Sequence, residues 1–300
     1  MDTATADVRQ RLESVMGPLP AAPGGAAPPY RVLDRVELDD HTREEIEYEV
    51  DDGPWTPAFL LHPPDNDTPR LGALALHPTQ VELGARVVVG LGGKPNRDYA
   101  TRLVRSGHVV LAPSYPTMGG YVPDFTALGH RSGTMKAIHD NVRGIDLLLS
   151  LSSVDPAGVV AMGHSLGGHN SMFTAAHDPR IRAVVTSCGF DSFADYQGGD
   201  LSGWLQQRYM PLLGPTPAFD FDDILMLLAD RALFVSAPLH DDNFVAASVD
   251  RLVEAVGAEF ERRGGAMEIH HPDCGHEFPP TLQDAAIRFV DRALRHAAGG

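Results

Sequence analysis

The chain is poor in cysteine: two in 300 residues, Cys188 and Cys274. Two thiols are too few for a disulfide framework, so a reducing cytoplasm is the expected location, with a single Cys188–Cys274 bridge left open. No apolar run approaches the roughly 18 residues of a spanning helix, which excludes a helical membrane anchor as the expectation. Basic residues are also scarce, 24 Lys and Arg against 40 Asp and Glu, for a net charge of −16. Nucleic acid and anionic membranes need basic patches, so neither is expected as a partner. Asp2 and Asp7 fall where a signal peptide would carry its basic and apolar regions, and no signal peptide is expected. There is no internal repeat, and nothing in the chain fixes an oligomeric state.

What is present is an ordinary globular mixture, 43% apolar and 21% charged, enough to build a sizeable core. Residues 6–16 predict a short helix. Gly17 to Pro29, rich in Pro, Gly and Ala, reads as a linker without regular structure, so that residues 1–29 form an arm on the surface of a domain at 30–300. Ile46, Tyr48 and Val50 alternate with Glu45, Glu47 and Glu49, a half-exposed strand, and residues 56–62 return as its hairpin partner. Short apolar runs at 71–77, 109–112, 159–163, 182–187, 232–237 and 266–270 predict buried strands. Helical patterns at 96–106, 134–151, 171–177, 246–262 and 281–297 lie between and after them. On the helix at 134–151, His139 and Arg143 fall opposite the apolar face and are expected to be solvated or paired. Strands alternating with helices give an α/β fold: a doubly wound, mostly parallel sheet of about eight strands with helices on both faces. Residues 190–230 are too long for a plain connection and hold seven aromatic rings, which predicts a small helical insertion or cap.

The most informative stretch is Val159 to His169, VVAMGHSLGGH. A buried strand runs into Gly163-His164-Ser165-Leu166-Gly167 and then into a helix. Such a turn is so tight that side chains at 163 and 167 would collide with backbone, so both positions need glycine. Ser165 is left projecting beyond the strand end, where the N-terminus of the following helix favours developing negative charge. A serine hydroxyl needs a base, and the base needs a group to orient it. In this type of sheet both must come from loops at the carboxyl ends of later strands. The loop after 232–237 carries His240-Asp241-Asp242-Asn243-Phe244, and the loop after 266–270 carries Cys274-Gly275-His276-Glu277-Phe278. The order along the chain is Ser, Asp, His.

On these three motifs the sequence resembles the α/β-hydrolase superfamily. Within it, the likeness is to the dienelactone-hydrolase and acetyl-xylan-esterase-like branch, near the prolyl-oligopeptidase catalytic domains, over residues ~40–300. The resemblance implies Ser165 as nucleophile, His276 as base and an aspartate of the 241–242 pair as acid. Asp241, first in the Asp-x-Asn-Phe pattern, is preferred, with Asp242 the alternative. It implies an oxyanion hole from the amide of Leu166 and one from the loop after 71–77. Relatives often carry His-Gly in that loop; here it is His77-Pro78, and proline has no N–H. Thr79 or Gln80 must supply the second amide. Candidates for the pocket wall are His77, Tyr115, Tyr121, Phe190 and Trp204.

His270, His271, Asp273, Cys274 and His276 fit no standard zinc-ligand spacing, so no metal is expected there, and no cofactor. The expected function is a serine hydrolase cleaving small-molecule carboxylic esters of short acyl chain through an acyl-enzyme. The alternatives are a serine peptidase on the same triad and a non-catalytic scaffold.

Overall fold

In the computed structural model, residues 3–19, 24–64 and 68–298 are described. Nine strands form one sheet: β1 (Tyr30–Glu37), β2 (Thr42–Tyr48), β3 (Thr56–His62), β4 (Arg70–Leu76), β5 (Val109–Pro113), β6 (Val154–His164), β7 (Ile181–Ser187), β8 (Ala232–Ser236) and β9 (Ala266–His270). Their spatial order is β1-β2-β3-β5-β4-β6-β7-β8-β9. The first three strands and the β3–β5 pair are antiparallel, and every pair from β5 through β4 to β9 is parallel. This is the α/β-hydrolase arrangement that the sequence led us to expect, with one strand more. The extra strand, β1, is solvent-exposed along most of its length and pairs only with β2. Its apolar residues do not alternate cleanly, so periodicity does not reveal it.

Seven α-helices accompany the sheet among the described residues, besides three short 3-10 turns: α1 (Thr3–Met16), α2 (Tyr99–Arg105), α3 (Gly133–Ser150), α4 (Leu166–His177), α5 (Phe221–Leu227), α6 (Ala246–Arg263) and α7 (Pro280–Ala298). None is long and apolar enough to cross a membrane. Side chains alternate between the two sides of a strand, so each central strand feeds two cores. Leu74 and Leu76 of β4 and Val159 and Ala161 of β6 join Ile138, Phe173, Ile224 and Val249 from α3, α4, α5 and α6. Ala73, Ala75, Val160 and Met162 join Leu103 of α2 and Phe289 and Val290 of α7 on the other face. Because both faces of β6 are buried, its sequence reads as a continuous apolar run rather than an alternation.

Two expectations are corrected here. The N-terminal arm does not simply lie on the surface: Leu12, Val15 and Met16 of α1 are buried in the first core. Each such side chain contributes roughly 1.5–3 kcal/mol. Arg11 of α1 forks onto Asp223 of α5 at 2.9 and 2.8 Å. The described parts of the linker after α1 hold no helix or strand, and residues 20–23 of it lie outside the described residues. His139 is not solvated: it is 4% exposed, beneath the β2–β3 turn, while Arg143 pairs with Asp146. Cys188 and Cys274 are both free thiols.

The 190–230 excursion is mostly irregular, two short 3-10 turns at 196–199 and 201–203 followed by α5. Its aromatic residues cluster. Phe190, Phe193 and Trp204 gather around Phe221, with ring centroids 5.2 to 6.5 Å apart, and the group packs on His169 and Phe173 of α4. The segment therefore roofs the helix that follows Ser165.

Candidate active site

Ser165 stands between the end of β6 and the start of α4 with φ 56° and ψ −122°, a backbone region that a side-chain-bearing residue enters only under constraint. The constraint is steric. A Cβ on Gly163 would lie 2.1 Å from the carbonyl carbon of Gly167, and one on Gly167 would lie 1.8 Å from the carbonyl oxygen of Leu76. Either contact would force the turn open. Two backbone hydrogen bonds fix the strained residue: Ser165 N–H donates to Ser187 O at 2.8 Å, and His169 N–H donates to Ser165 O at 3.0 Å. Leu166 opens α4, and first-turn N–H groups of a helix have no acceptor within it. Its amide is free to meet an anion beside Ser165.

His276 and Asp241 come from the loops after β9 and β8. Nδ1 of His276 lies 3.0 Å from both carboxylate oxygens of Asp241. Oδ1 of Asp241 also accepts from the amides of Asn243 at 2.8 Å and Phe244 at 3.2 Å. Burial works to raise the Asp241 pKa, but the hydrogen bond from His276, its charge and the Asn243 amide together hold it below the usual carboxylate range. The neighbour, Asp242, is exposed and meets the insertion only through its carbonyl, which accepts from Gln197 Nε2 at 3.1 Å. The register of the loop thus brings Asp241, not Asp242, to the imidazole. No direct hydrogen bond joins Ser165 to His276 among the described residues. A contact of this kind is often long in a free enzyme and tightens on substrate.

Ser165 and Leu166 line a cleft of about 250 Å³ together with Thr79, Tyr196, Gly203, Trp204, Tyr209, Asn243 and Phe244. Thr79 is exposed at its edge, and its hydroxyl meets the Tyr209 hydroxyl at 3.2 Å. Gln80 is not among the lining residues, so Thr79 is the member of that pair placed near Ser165.

Of the five side chains expected in the wall, only Trp204 is there. His77 is fully buried; its Nδ1–H donates to Pro78 O at 2.7 Å and its Nε2 accepts from Tyr115 N–H at 3.2 Å. Burial pushes its pKa down to about 4, so it serves as a neutral strut under the 77–79 turn. Tyr115 stacks on that imidazole at 4.2 Å. Tyr121 turns inward to Thr56 and Asp140, at 3.2 and 3.3 Å. Phe190 packs on Phe221. These four are interior residues, and Tyr196, Tyr209 and Phe244 take the places expected for them.

Comparison with known proteins bears on the same arrangement. The prolyl oligopeptidase family matches residues 97–292, about two thirds of the chain. The chain belongs to the prolyl oligopeptidase family. A curated relative, the "Putative hydrolase YtaP" of Bacillus subtilis, is 23% identical over 96% of this chain and 99% of its own length. Among solved structures, a glucuronoyl esterase from Solibacter usitatus superposes with a TM-score of 0.75 over 97% of this chain and 91% of that one, at 16% identity. An acetyl xylan esterase from Paenibacillus sp. R4 gives 0.62 over 97% and 92%, at 18% identity. At these identities the structural likeness speaks for the fold.

In this member of the prolyl oligopeptidase family the histidine loop has supports that sequence reasoning missed. Arg97, just before α2 and only 4% exposed, donates from Nη2 to His276 O at 3.0 Å and from Nη1 to Glu277 Oε2 at 2.8 Å. Gln283 Nε2 donates to Phe278 O at 2.7 Å and to Asn96 O at 2.9 Å. The His164 ring lies 4.8 Å from that of His276. His164, Cys188 and His276 do bring donor atoms within 4.8 Å of one another. Nδ1 of His276 is committed to Asp241 and Nδ1 of His164 to Ser187 Oγ at 3.1 Å, while Nε2 of His164 is buried without a hydrogen-bond partner. A groove of about 350 Å³ lies at the opposite, amino ends of the strands, lined by Ser106, His108 and Asp291 among others. There Ser106 Oγ is 3.0 Å from His108 Nδ1, and His108 Nε2 is 3.3 Å from Asp291. But the Ser106 hydroxyl donates to Leu103 O at 2.7 Å, and its residue has the ordinary backbone of a helix end, without the strained turn of Ser165.

Proposed function

We propose that this protein is a serine esterase, cleaving small-molecule carboxylic esters through an acyl-enzyme on Ser165. The observation that carries the proposal is the strained Ser165 beside a helix N-terminus, in a chain whose buried Asp241 holds His276 by Nδ1. In this reading His276 accepts the Ser165 proton through Nε2 as Oγ attacks the ester carbonyl. Asp241 fixes the tautomer and stabilises the imidazolium that forms. The amides of Leu166 and Thr79 hold the oxyanion. The imidazolium then protonates the departing alcohol, and water repeats the sequence to release the acid and restore Ser165.

The small cleft with aromatic walls supports short acyl chains over long ones. The acidic charge and the two free thiols favour a cytoplasmic setting without nucleic-acid or membrane partners. A second reading, peptide cleavage on the same three residues, is favoured by the family itself. A panel of p-nitrophenyl esters from acetate to decanoate beside peptide p-nitroanilides separates the two. The expected outcome is turnover of the esters that falls with acyl length, is unaffected in initial rate by EDTA, and exceeds amide turnover. Hydrolysis of peptide anilides at rates matching or exceeding acetate would turn the assignment to the second reading.

A further inference from the structure

A second group of polar side chains lies outside the cleft, where the β2–β3 turn meets the start of α3. Asp51 comes from the turn, His130 from the loop before α3, and His139 from α3 itself. One donor atom from each lies within 4.8 Å of the other two. His130 is 2% exposed and His139 4% exposed. Neither ring nitrogen of His130 has a hydrogen-bond partner, nor has Nδ1 of His139. Asp51 Oδ2 faces His130 Nε2 at 3.6 Å, too far for a hydrogen bond. Leaving a buried polar atom unsatisfied costs about 1–3 kcal/mol, so orphans crowded into one place call for a common explanation.

The local charge points the same way. Lys136 Nζ stands 3.1 Å from Asp51 Oδ2 and also bonds Asp140, so one ammonium faces two carboxylates. We propose that Asp51, His130 and His139 form a site for a borderline divalent transition metal, zinc first. Two imidazoles and one carboxylate are donors that such ions accept, with water completing the shell. Metal–ligand bonds of about 2.0–2.2 Å set the donor atoms roughly 3.4 Å apart in a tetrahedral shell. The three side chains need to draw together by about an ångström, while Lys136 stays with Asp140.

The site has a structural task. Gly133 N–H and Thr134 N–H, at the start of α3, donate to Gln207 O at 3.1 Å and Tyr209 O at 3.3 Å. Tyr209 walls the Ser165 cleft. A metal tying α3 to the β2–β3 turn therefore braces that wall without entering the cleft.

The test uses the full chain, treated with EDTA, desalted, and titrated with zinc by calorimetry. One equivalent should bind and raise the melting temperature. His130→Gln and His139→Gln should each weaken binding at least about 100-fold, beyond the loss usual for a residue that only orients a ligand. Cys188→Ser should bind as the parent does. Cobalt should give visible d–d absorption without a thiolate charge-transfer band. Absence of a stoichiometric site, unchanged binding in both histidine variants, or a thiolate band would overturn the proposal. Should the variants not fold, the unaltered chain decides. An anomalous zinc peak between His130 and His139 in a crystal supports the site, and a peak elsewhere or none refutes it.

Discussion

The backbone of Ser165 is set mainly by its own strand-to-helix turn, with one hydrogen bond to Ser187 of the neighbouring strand, whereas His276 is held by residues 35 and 179 positions away. The serine turn follows from sterics: strand, Gly163, Gly167 and helix leave the intervening residue little choice of backbone. The histidine loop has no such local necessity. Asp241, Arg97, Gln283 and the ring of His164 hold it, each brought in by the sheet order or by a helix packed against it. A local device is readable in a sequence. A device assembled from distant side chains is visible only once the fold has closed.

The sharpest way to break the serine side is Ser165→Ala. With the sole nucleophile gone, ester turnover should fall by about six orders of magnitude, the scale reached when a triad serine is removed. Near-UV and far-UV circular dichroism should be unchanged. Retention of even a tenth of the parent rate by well-folded protein would end the assignment of Ser165.

On the histidine side the largest effect belongs to Asp241→Asn, expected to cost about 10⁴ in kcat because an amide favours the wrong imidazole tautomer. Asp242→Asn should stay within about twofold, since that side chain is exposed and the loop meets the insertion through its carbonyl instead. Reversal of the two results would show that the loop acts one residue out of the register described.

What could be read in advance follows the same division. The β6–α4 turn, the order Ser, Asp, His and the alternation of strands with helices were all legible, because each depends on local pattern or chain order. The lining of the cleft was not. His77, Tyr115, Tyr121 and Phe190 are near the site in sequence terms, yet all are turned into the interior. Residues 190–230 have little regular structure, and no period tells which of their rings face the cavity. Arg97 gave no signal, because an arginine before a helix usually stays in solvent and its role exists only through the loop beyond β9.

That loop yields the third prediction. Arg97→Gln keeps a hydrogen-bond donor but loses the fork that spans His276 O and Glu277. As a positioning residue, Arg97 should matter for kcat and not for KM. A loss of about 10- to 100-fold in kcat is the scale of a sub-ångström to ångström misplacement. Arg97→Lys should recover part of the loss. A change in KM alone, with kcat intact, would assign Arg97 to substrate binding and remove it from the support of His276.

The smallest effect, absent at neutral pH, should distinguish the two sides by acid. The serine side rests on buried neutral histidines: His77 under the 77–79 turn and His169 one turn beyond Ser165, with His177 at the end of the same helix. Burial lowers their pKa values, to about 4 for His77 and His177 and about 3 for His169. The unfolded chain titrates these groups near 6.5, so between about pH 6.5 and 4 it binds protons that the folded chain refuses. Stability is therefore complete above 6.5 and declines as the pH falls, by about 1.4 kcal/mol per pH unit for each group. Asp191 opposes this: burial raises its pKa to about 7, so the folded chain takes up that proton first and gains stability in the same range. Burial lowers His139 and His164 as well and raises Asp140 and Asp220 as it does Asp191, and five enclosed imidazoles outweigh the three carboxyls. The melting temperature should therefore fall by about 10 °C between pH 7 and pH 5. His169→Phe keeps an aromatic ring against Phe173 and Trp204 and removes one of these titrations, so it should make the decline shallower. A melting temperature that stays level or rises on acidification would mean that these histidines titrate normally, and that the serine side is less tightly enclosed than its geometry requires.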